Sequence, residues 1–299
     1  MIIPLAISAS LDVTYEVDEL RHGDITRPNA VTRVAGGKAL NVARSAAALG
    51  AEVQAIVALG GPIGDWVRAM LADDGVSATV IPLRRVTRTC TAVVESAEST
   101  TSTDLYEPAT ALDADEWDAY AAAVRTLVGE AVALGPAPWV ALSGSVPPGV
   151  PLQQLGALLG ELRARGAHVV VDGSGDGLRA TAPAAELIKV NRGEASELME
   201  TDFGSAADAC RALRERFGAD AVVTDGVAGS AALIGEVEAA VPAPRMRGRF
   251  PAGSGDSFLG GLLAAFERGE DARLALAAAS DAGVRNALVP GQGRLAPAS

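Results

Sequence analysis

Short apolar runs of strand length alternate with segments of helical periodicity along most of this chain, and few architectures accommodate that rhythm. Trp139 to Leu142, His168 to Asp172, Leu187 to Val190 and Ala221 to Thr224 each read as strands. Helical patterns run from Asp113 through Trp117 and Val124, from Leu152 to Arg165, and near Ser205 to Phe217. Repeated βα units predict a parallel sheet covered by helices on both faces, with ligands gathered at the carboxyl ends of its strands. The N-terminal part follows the same pattern. Met1 to Ala9 reads as a buried strand, and Leu40, Val42, Ala43, Ala46, Ala47 and Leu49 fall at helical spacing up to Gly50. Val53 to Leu59 is a further strand, and Asp65 to Ala72 a helix closed by Asp73, Asp74 and Gly75.

Other stretches depart from the rhythm. Val31 to Val34 is a brief strand before Gly36 and Gly37, while Thr87 to Glu95 and Asp104 to Glu107, rich in threonine, valine and charge, read as exposed or edge strands. With residues 12–35 they predict a small separate sheet. No linker, low-complexity segment or repeat divides the chain. One domain over residues 1–299 is expected, with a lid formed by residues 12–35 and 84–108.

Composition removes several function classes. A net charge of −12 and a pI near 4.7 argue against nucleic acid or an anionic membrane as partner, so any anionic ligand must be held by local design. Cys90 and Cys210 match no metal or redox spacing and read as reduced core thiols. The only histidines, His22 and His168, do not cluster, which leaves a histidine metal site or a serine–histidine triad unsupported. No apolar run approaches about 18 residues and the N-terminus lacks a basic flank, so a cytoplasmic protein is expected.

The chemistry concentrates in Phe250 to Phe266, FPAGSGDSFLGGLLAAF. Gly253, Ser254 and Gly255 leave the backbone nearly free of side chains, so successive N–H groups can turn toward one point where the following helix adds its positive dipole end. An anion belongs there. Asp256 stands at the helix start, within reach of a hydroxyl that attacks a phosphoryl group held by the same amides. The same residues also read as an ordinary capped helix start. Gly36-Gly37-Lys38 is not a Walker loop, because Thr32 and Ala39 occupy the positions that need glycine and Ser or Thr. Asp172 to Gly177 follows a strand but lacks the dinucleotide glycine spacing. Ser143 to Gly149 is a rigid turn at a strand's carboxyl end.

Taken in order, these pieces resemble the PfkB carbohydrate kinases of the ribokinase-like fold, in the 1-phosphofructokinase and tagatose-6-phosphate kinase branch. The resemblance runs from about Leu5 to about Gly293 and rests on SASLD at 8–12, GGKALNVAR at 36–44, TRT at 87–89, SGSVPPGVP at 143–151, KVNRGE at 189–194, TDGVAGS at 224–230 and AGSGDS at 252–257. It implies a three-layer α/β/α fold with a mostly parallel central sheet and a small β-sheet lid. It also implies Asp256 as catalytic base, with the amides of Gly253, Ser254 and Gly255 as anion hole. Asp12, Gly37, Lys38 and Asn41 resemble sugar contacts, and Arg88 and Arg27 the cations that hold a substrate phosphate. Lys189, Thr224, Gly226, Gly229 and Asn286 resemble the nucleotide site, and Asn191 and Glu194 the pair that organises magnesium through water.

The sequence departs from the family pattern in places. Pro251 and Ser254 replace a threonine and an alanine beside the anion hole, Lys-Val-Asn replaces Lys-Pro-Asn, and Asp104 falls near an arginine of some relatives. The resemblance implies an ATP- and magnesium-dependent kinase acting on a hydroxyl of a ketohexose phosphate: fructose 1-phosphate first, then tagatose 6-phosphate or fructose 6-phosphate. A kinase of an unphosphorylated sugar or nucleoside, and a non-catalytic sugar or nucleotide sensor, are the alternatives. The lid sheet is compatible with a homodimer or with a monomer whose edge is covered.

Overall fold

The computed structural model describes residues 1–95, 102–242, 246 and 248–298. Its strands are β1 (Ile2–Ala6), β2 (Ser10–Val17), β3 (Ala30–Gly36), β4 (Gln54–Leu59), β5 (Ser77–Pro82), β6 (Arg88–Glu95), β7 (Ser102–Tyr106), β8 (Trp139–Ser143), β9 (His168–Asp172), β10 (Leu187–Asn191), β11 (Asp220–Thr224), β12 (Ser230–Ile234) and β13 (Val237–Val241). Its helices are α1 (Lys38–Ala48), α2 (Gly61–Asp73), α3 (Ala114–Leu134), α4 (Leu152–Ala164), α5 (Gly175–Thr181), α6 (Arg192–Met199), α7 (Ala206–Phe217), α8 (Ser254–Glu267) and α9 (Ala272–Ala287).

Nine strands form the main sheet in the order β13-β12-β11-β10-β9-β8-β1-β4-β5. The run from β11 to β5 is parallel, and β12 and β13 add an antiparallel hairpin at one edge. Alternate residues of each central strand serve two cores, as strands covered on both faces must. Val169 and Val171 point with Ile3 and Leu142 toward α3 to α7, whereas Val170 points with Ile2 and Ala141 toward α1, α2, α8 and α9. This three-layer arrangement is the one that the βα alternation predicts.

The smaller sheet has the order β3-β2-β6-β7, with β2 and β6 parallel and the outer pairs antiparallel. Here β6 is internal rather than an edge: Cys90, Ala92, Val93 and Val94 are buried, and only β7 is exposed along its length. Threonines and charges do not mark β6 as an edge, because a two-sided small sheet keeps polar groups even on a central strand.

Five elements, β5, α6, α9 and the two strands β12 and β13, are not legible in the sequence, and Asp172 to Gly177 leads from β9 into α5. Helix α2 begins at Gly61, four residues before Asp65, because Pro62 suits the first turn of a helix. Helix α8 lies between α1 and α9 with nearly its whole surface covered. Glycine makes that approach possible: a Cβ on Gly260 would lie 2.0 Å from Ser45 Oγ, and one on Gly261 2.8 Å from Ala282 Cβ. The middle of α8 is thereby packed against the second half of α1, and the two helix starts meet where Asn41 hydrogen-bonds Asp256.

Candidate active site

Strand β1 feeds β4 and β5 on one side, and the chain then returns to place β8 on the other. Such a reversal opens a crevice beyond the carboxyl ends of the strands. A cleft of about 660 Å³ occupies that place. Ser8 and Ser10 follow β1, Gly144 and Ser145 follow β8, Ser174 follows β9, and Gly226 follows β11. The N-termini of α1 and α8 close the floor, and the small sheet supplies Asp12, Arg88, Cys90, Asp104 and Tyr106 as a wall.

Asp256 lies on the floor as the third residue of α8. The N-cap is Gly253, in the left-handed conformation with φ 83°. The capping alternative therefore does not describe Asp256. Its Oδ2 accepts a hydrogen bond from Asn41 Nδ2 at 2.8 Å. Burial, reinforced by the nearby Asp172 carboxylate, pushes the Asp256 carboxyl up to about 7, against the opposing pull of Lys38, Asn41 and Lys189. A carboxylate titrating there is suited to accept a proton at neutral pH. Gly253 and Gly255 line the cleft beside it. Ser254 does not: its N–H donates to the Pro251 carbonyl at 3.1 Å, and its hydroxyl is buried behind the loop.

Behind the loop lies a charge cluster that the sequence reading missed. Asp172 at the end of β9 is buried, with Oδ1 3.1 Å from Lys189 Nζ and Oδ2 accepting from Ser143 Oγ at 2.6 Å. Burial alone would raise its carboxyl, but Lys189, Lys38 and Ser143 outweigh it and hold the group below the ordinary range. Lys189 reaches the Gly253–Gly255 loop, since a Cβ on Gly255 would sit 3.3 Å from Nζ. Lys38 is raised well above its ordinary value, chiefly by Asp172 and, against its own burial, also by Asp256 and Glu194, whose Oε1 is 3.6 Å away. Only spatial proximity identifies Asp172, because its sequence surroundings match no phosphate or dinucleotide motif.

Asn191 and Glu194 form a capping box at the start of α6: Glu194 N–H donates to Asn191 Oδ1 at 2.9 Å, and Asn191 N–H to Glu194 Oε2 at 2.8 Å. The box aims Glu194 at the cleft with Oε1 left for Lys38 or a ligand. A single carboxylate of this kind fits magnesium, a hard cation that keeps most of its waters and takes further oxygens from substrate phosphates. Among the described residues, no group of three or more His, Cys, Asp or Glu is arranged to hold a metal by itself.

On the wall, Asp12 accepts from Ser10 Oγ at 2.5 Å, and a Cβ on Gly36 would lie 2.0 Å from the same carboxylate. That contact requires glycine at 36, whereas Gly37 is required by its φ of 97° and by the Ser8 carbonyl oxygen, which a Cβ there would meet at 2.8 Å. Burial raises the Asp12 carboxyl despite Ser10, Gly37, Arg44 and Arg88. Arg88 donates from Nη1 to the Glu107 carbonyl at 3.2 Å, while its buried Nε has no partner. On the same wall Asp104 accepts from Ser102 Oγ at 2.5 Å and from Tyr106 Oη at 3.3 Å.

The structure thus gathers Asp12, Gly37, Lys38, Asn41 and Arg88 with Lys189, Asn191, Glu194, Thr224 and Gly226 around Asp256. Besides Ser254, three expected residues stand elsewhere. Arg27 is exposed in the β2–β3 loop, and Gly229 turns the chain into β12 with φ 98°. Asn286 is fully buried beneath the Gly253 turn, where Nδ2 donates to the Arg294 carbonyl at 3.1 Å.

The pfkB family carbohydrate kinase pattern matches residues 5–298. Among solved structures, the chain is similar to phosphofructokinase-2 from Escherichia coli in complex with substrates and products, at 27% identity and TM-score 0.87, covering 99% of this chain and 95% of that one. The tetrameric inhibited form of the same enzyme gives 26% identity, TM-score 0.85 and coverage of 96% and 93%. A possible 1-phosphofructokinase from Thermotoga maritima, at 19% identity, shares the fold with TM-score 0.79 over 96% of this chain and 91% of that one.

Proposed function

This chain belongs to the pfkB family of carbohydrate kinases, and we propose that it transfers the γ-phosphoryl group of ATP to a hydroxyl of a phosphorylated ketohexose, with Asp256 as base. It is an ATP-dependent sugar kinase; the acceptor, the residue roles and the metal are the proposal. The observation that carries the reading is Asp256 itself: a buried carboxyl raised to about 7, hydrogen-bonded to Asn41 and set in the first turn of a 14-residue helix beside a glycine loop. In the proposed step Asp256 takes the acceptor hydroxyl proton, the oxygen attacks the γ-phosphorus and ADP departs. The backbone N–H groups of Gly253 and Gly255, the α8 dipole and Lys189 stabilise charge on the group in flight. Magnesium, where bound, neutralises phosphate charge; Glu194 would hold it through water, with Asn191 orienting Glu194 through the capping box. Thr224 and Gly226 border the nucleotide side. The small sheet acts as a lid that excludes water from the transfer.

Arg88, with its unpartnered Nε, supports a phosphate on the acceptor. Fructose 1-phosphate leads, followed by fructose 6-phosphate and tagatose 6-phosphate. A specific observation favours a second reading, an unphosphorylated acceptor: Asp104 stands on the same wall, and Lys38 already shares its charge with Asp172 and Glu194. ADP release with ATP and magnesium across these phosphates, free hexoses, ribose and nucleosides separates the two. Turnover confined to one sugar phosphate supports the first, turnover only with a neutral compound supports the second, and silence across the panel overturns both.

A further inference from the structure

Arg44 lies in α1 one turn beyond Asn41 and is only 4% exposed. Its guanidinium is partnered on every side. Nε meets Asp74 at 2.6 Å, Nη1 donates to the Gln292 carbonyl at 2.6 Å, Nη2 donates to the Ala35 carbonyl, and Nη1 also lies 3.4 Å from Asn41 Oδ1. These partners come from the end of α2, the end of β3, the C-terminal loop and α1 itself. The cleft touches only two of those residues, Asn41 and Gln292.

A guanidinium offers donors and no acceptor, so the end of the Asn41 amide that faces it must be the oxygen. The Asn41 Nδ2 group is then left to donate to Asp256 Oδ2 at 2.8 Å and to Gln292 Oε1 at 3.3 Å. An inverted amide would set its oxygen against a carboxylate and its NH₂ against a cation. The C-terminal loop completes the clamp. At Gly293, with φ 77°, a Cβ would lie 2.8 Å from Asn41 Cα and 3.0 Å from Arg44 Nη1, so the loop seats directly on α1.

We propose that Arg44 is a positioning residue for phosphoryl transfer: it fixes the Asn41 amide in the orientation that donates to Asp256 and anchors the Gln292 loop that shares this donor. The inference rests on the reading of Asp256 as base. The charged groups that also face Asp256 are Asp172 from β9, Lys38 from α1 and Lys189 from β10. None of them is in the set that Arg44 holds.

The test is a double-mutant cycle of Arg44→Lys and Asn41→Ala, read as kcat, KM for ATP and the acidic limb of the kcat–pH profile, with Asp256→Asn alongside. Arg44→Lys is expected to lower kcat about tenfold or more and to move the acidic limb upward, with KM for ATP changed less than about twofold. Because Arg44 acts through Asn41, Arg44→Lys should add less than about twofold to the loss in Asn41→Ala. Unchanged kcat and pH limb in Arg44→Lys, or losses that multiply in the double variant, overturn the proposal. If the lysine variant does not fold, Arg44→Met combined with Asp74→Leu removes the pair without stranding a charge, and the same two criteria apply. An inactive Asp256→Asn beside an unaffected Arg44→Lys refutes Arg44 alone. Turnover retained in Asp256→Asn removes the base reading and this inference with it.

Discussion

Lowering the pH should switch this enzyme off well above the range where an ordinary aspartate titrates. Asp256 is raised from 3.8 to about 7, first by burial and then by the Asp172 carboxylate. A base with that value is about nine-tenths ionised at pH 8 and about one-tenth at pH 6, so kcat/KM should fall about tenfold between them and about tenfold more by pH 5. The assay is ADP release from pH 5 to 9 in one mixed buffer at constant ionic strength. Sugar and nucleotide phosphates also titrate near pH 6, and a limb from that source would mimic the effect. Asn41→Ala separates the two. The Asn41 hydrogen bond favours the ionised carboxylate, so its loss should move an Asp256 limb upward and leave a substrate limb in place. A profile that stays flat to pH 5 refutes the reasoning, as does a limb that Asn41→Ala leaves unmoved.

Asp256→Asn should abolish turnover yet stabilise the fold. With a folded-state value above the unfolded 3.8, the native state holds an extra proton between about pH 4 and pH 7, so Asp256 loses stability for the protein as pH rises through that window. The variant's Tm advantage should be clear at pH 8 and vanish near pH 4 in thermal scans. Arg88→Ala should raise KM for a phosphorylated acceptor about tenfold or more, as expected for a lost charge-assisted hydrogen bond, with little change in KM for ATP; equal effects on both favour the neutral acceptor. Asp172→Asn should cost about 3–5 kcal/mol in urea unfolding because it strands the buried Lys189 ammonium, and a loss under about 1 kcal/mol would contradict the pairing. Gly260→Ala should destabilise by about 1–3 kcal/mol in the same assay, since the new Cβ falls 2.0 Å from Ser45 Oγ in the α1–α8 contact.

The sequence by itself determined the layered fold and most of the cleft, because both depend on local or repeated signals. Val169 to Val171 and Val222 with its neighbours are legible as doubly covered strands from their unbroken apolar runs, and Gly253 to Asp256 as a glycine turn leading into a helix. Elements whose stability comes from packing were not legible. Helix α9 is alanine-rich with little polar contrast, and the β12–β13 hairpin is held by pairing to β11. The tertiary structure alone decided which charges meet. Asp172 joins Lys38 and Lys189 across separations of 134 and 17 residues, and Arg44 reaches Gln292 across 248. It also decided which expected residues stand apart, with Asn286 buried and Arg27 exposed. A residue type announces what chemistry a side chain can do. Its pKa and its partner follow from the charges and the burial that other parts of the chain bring to it.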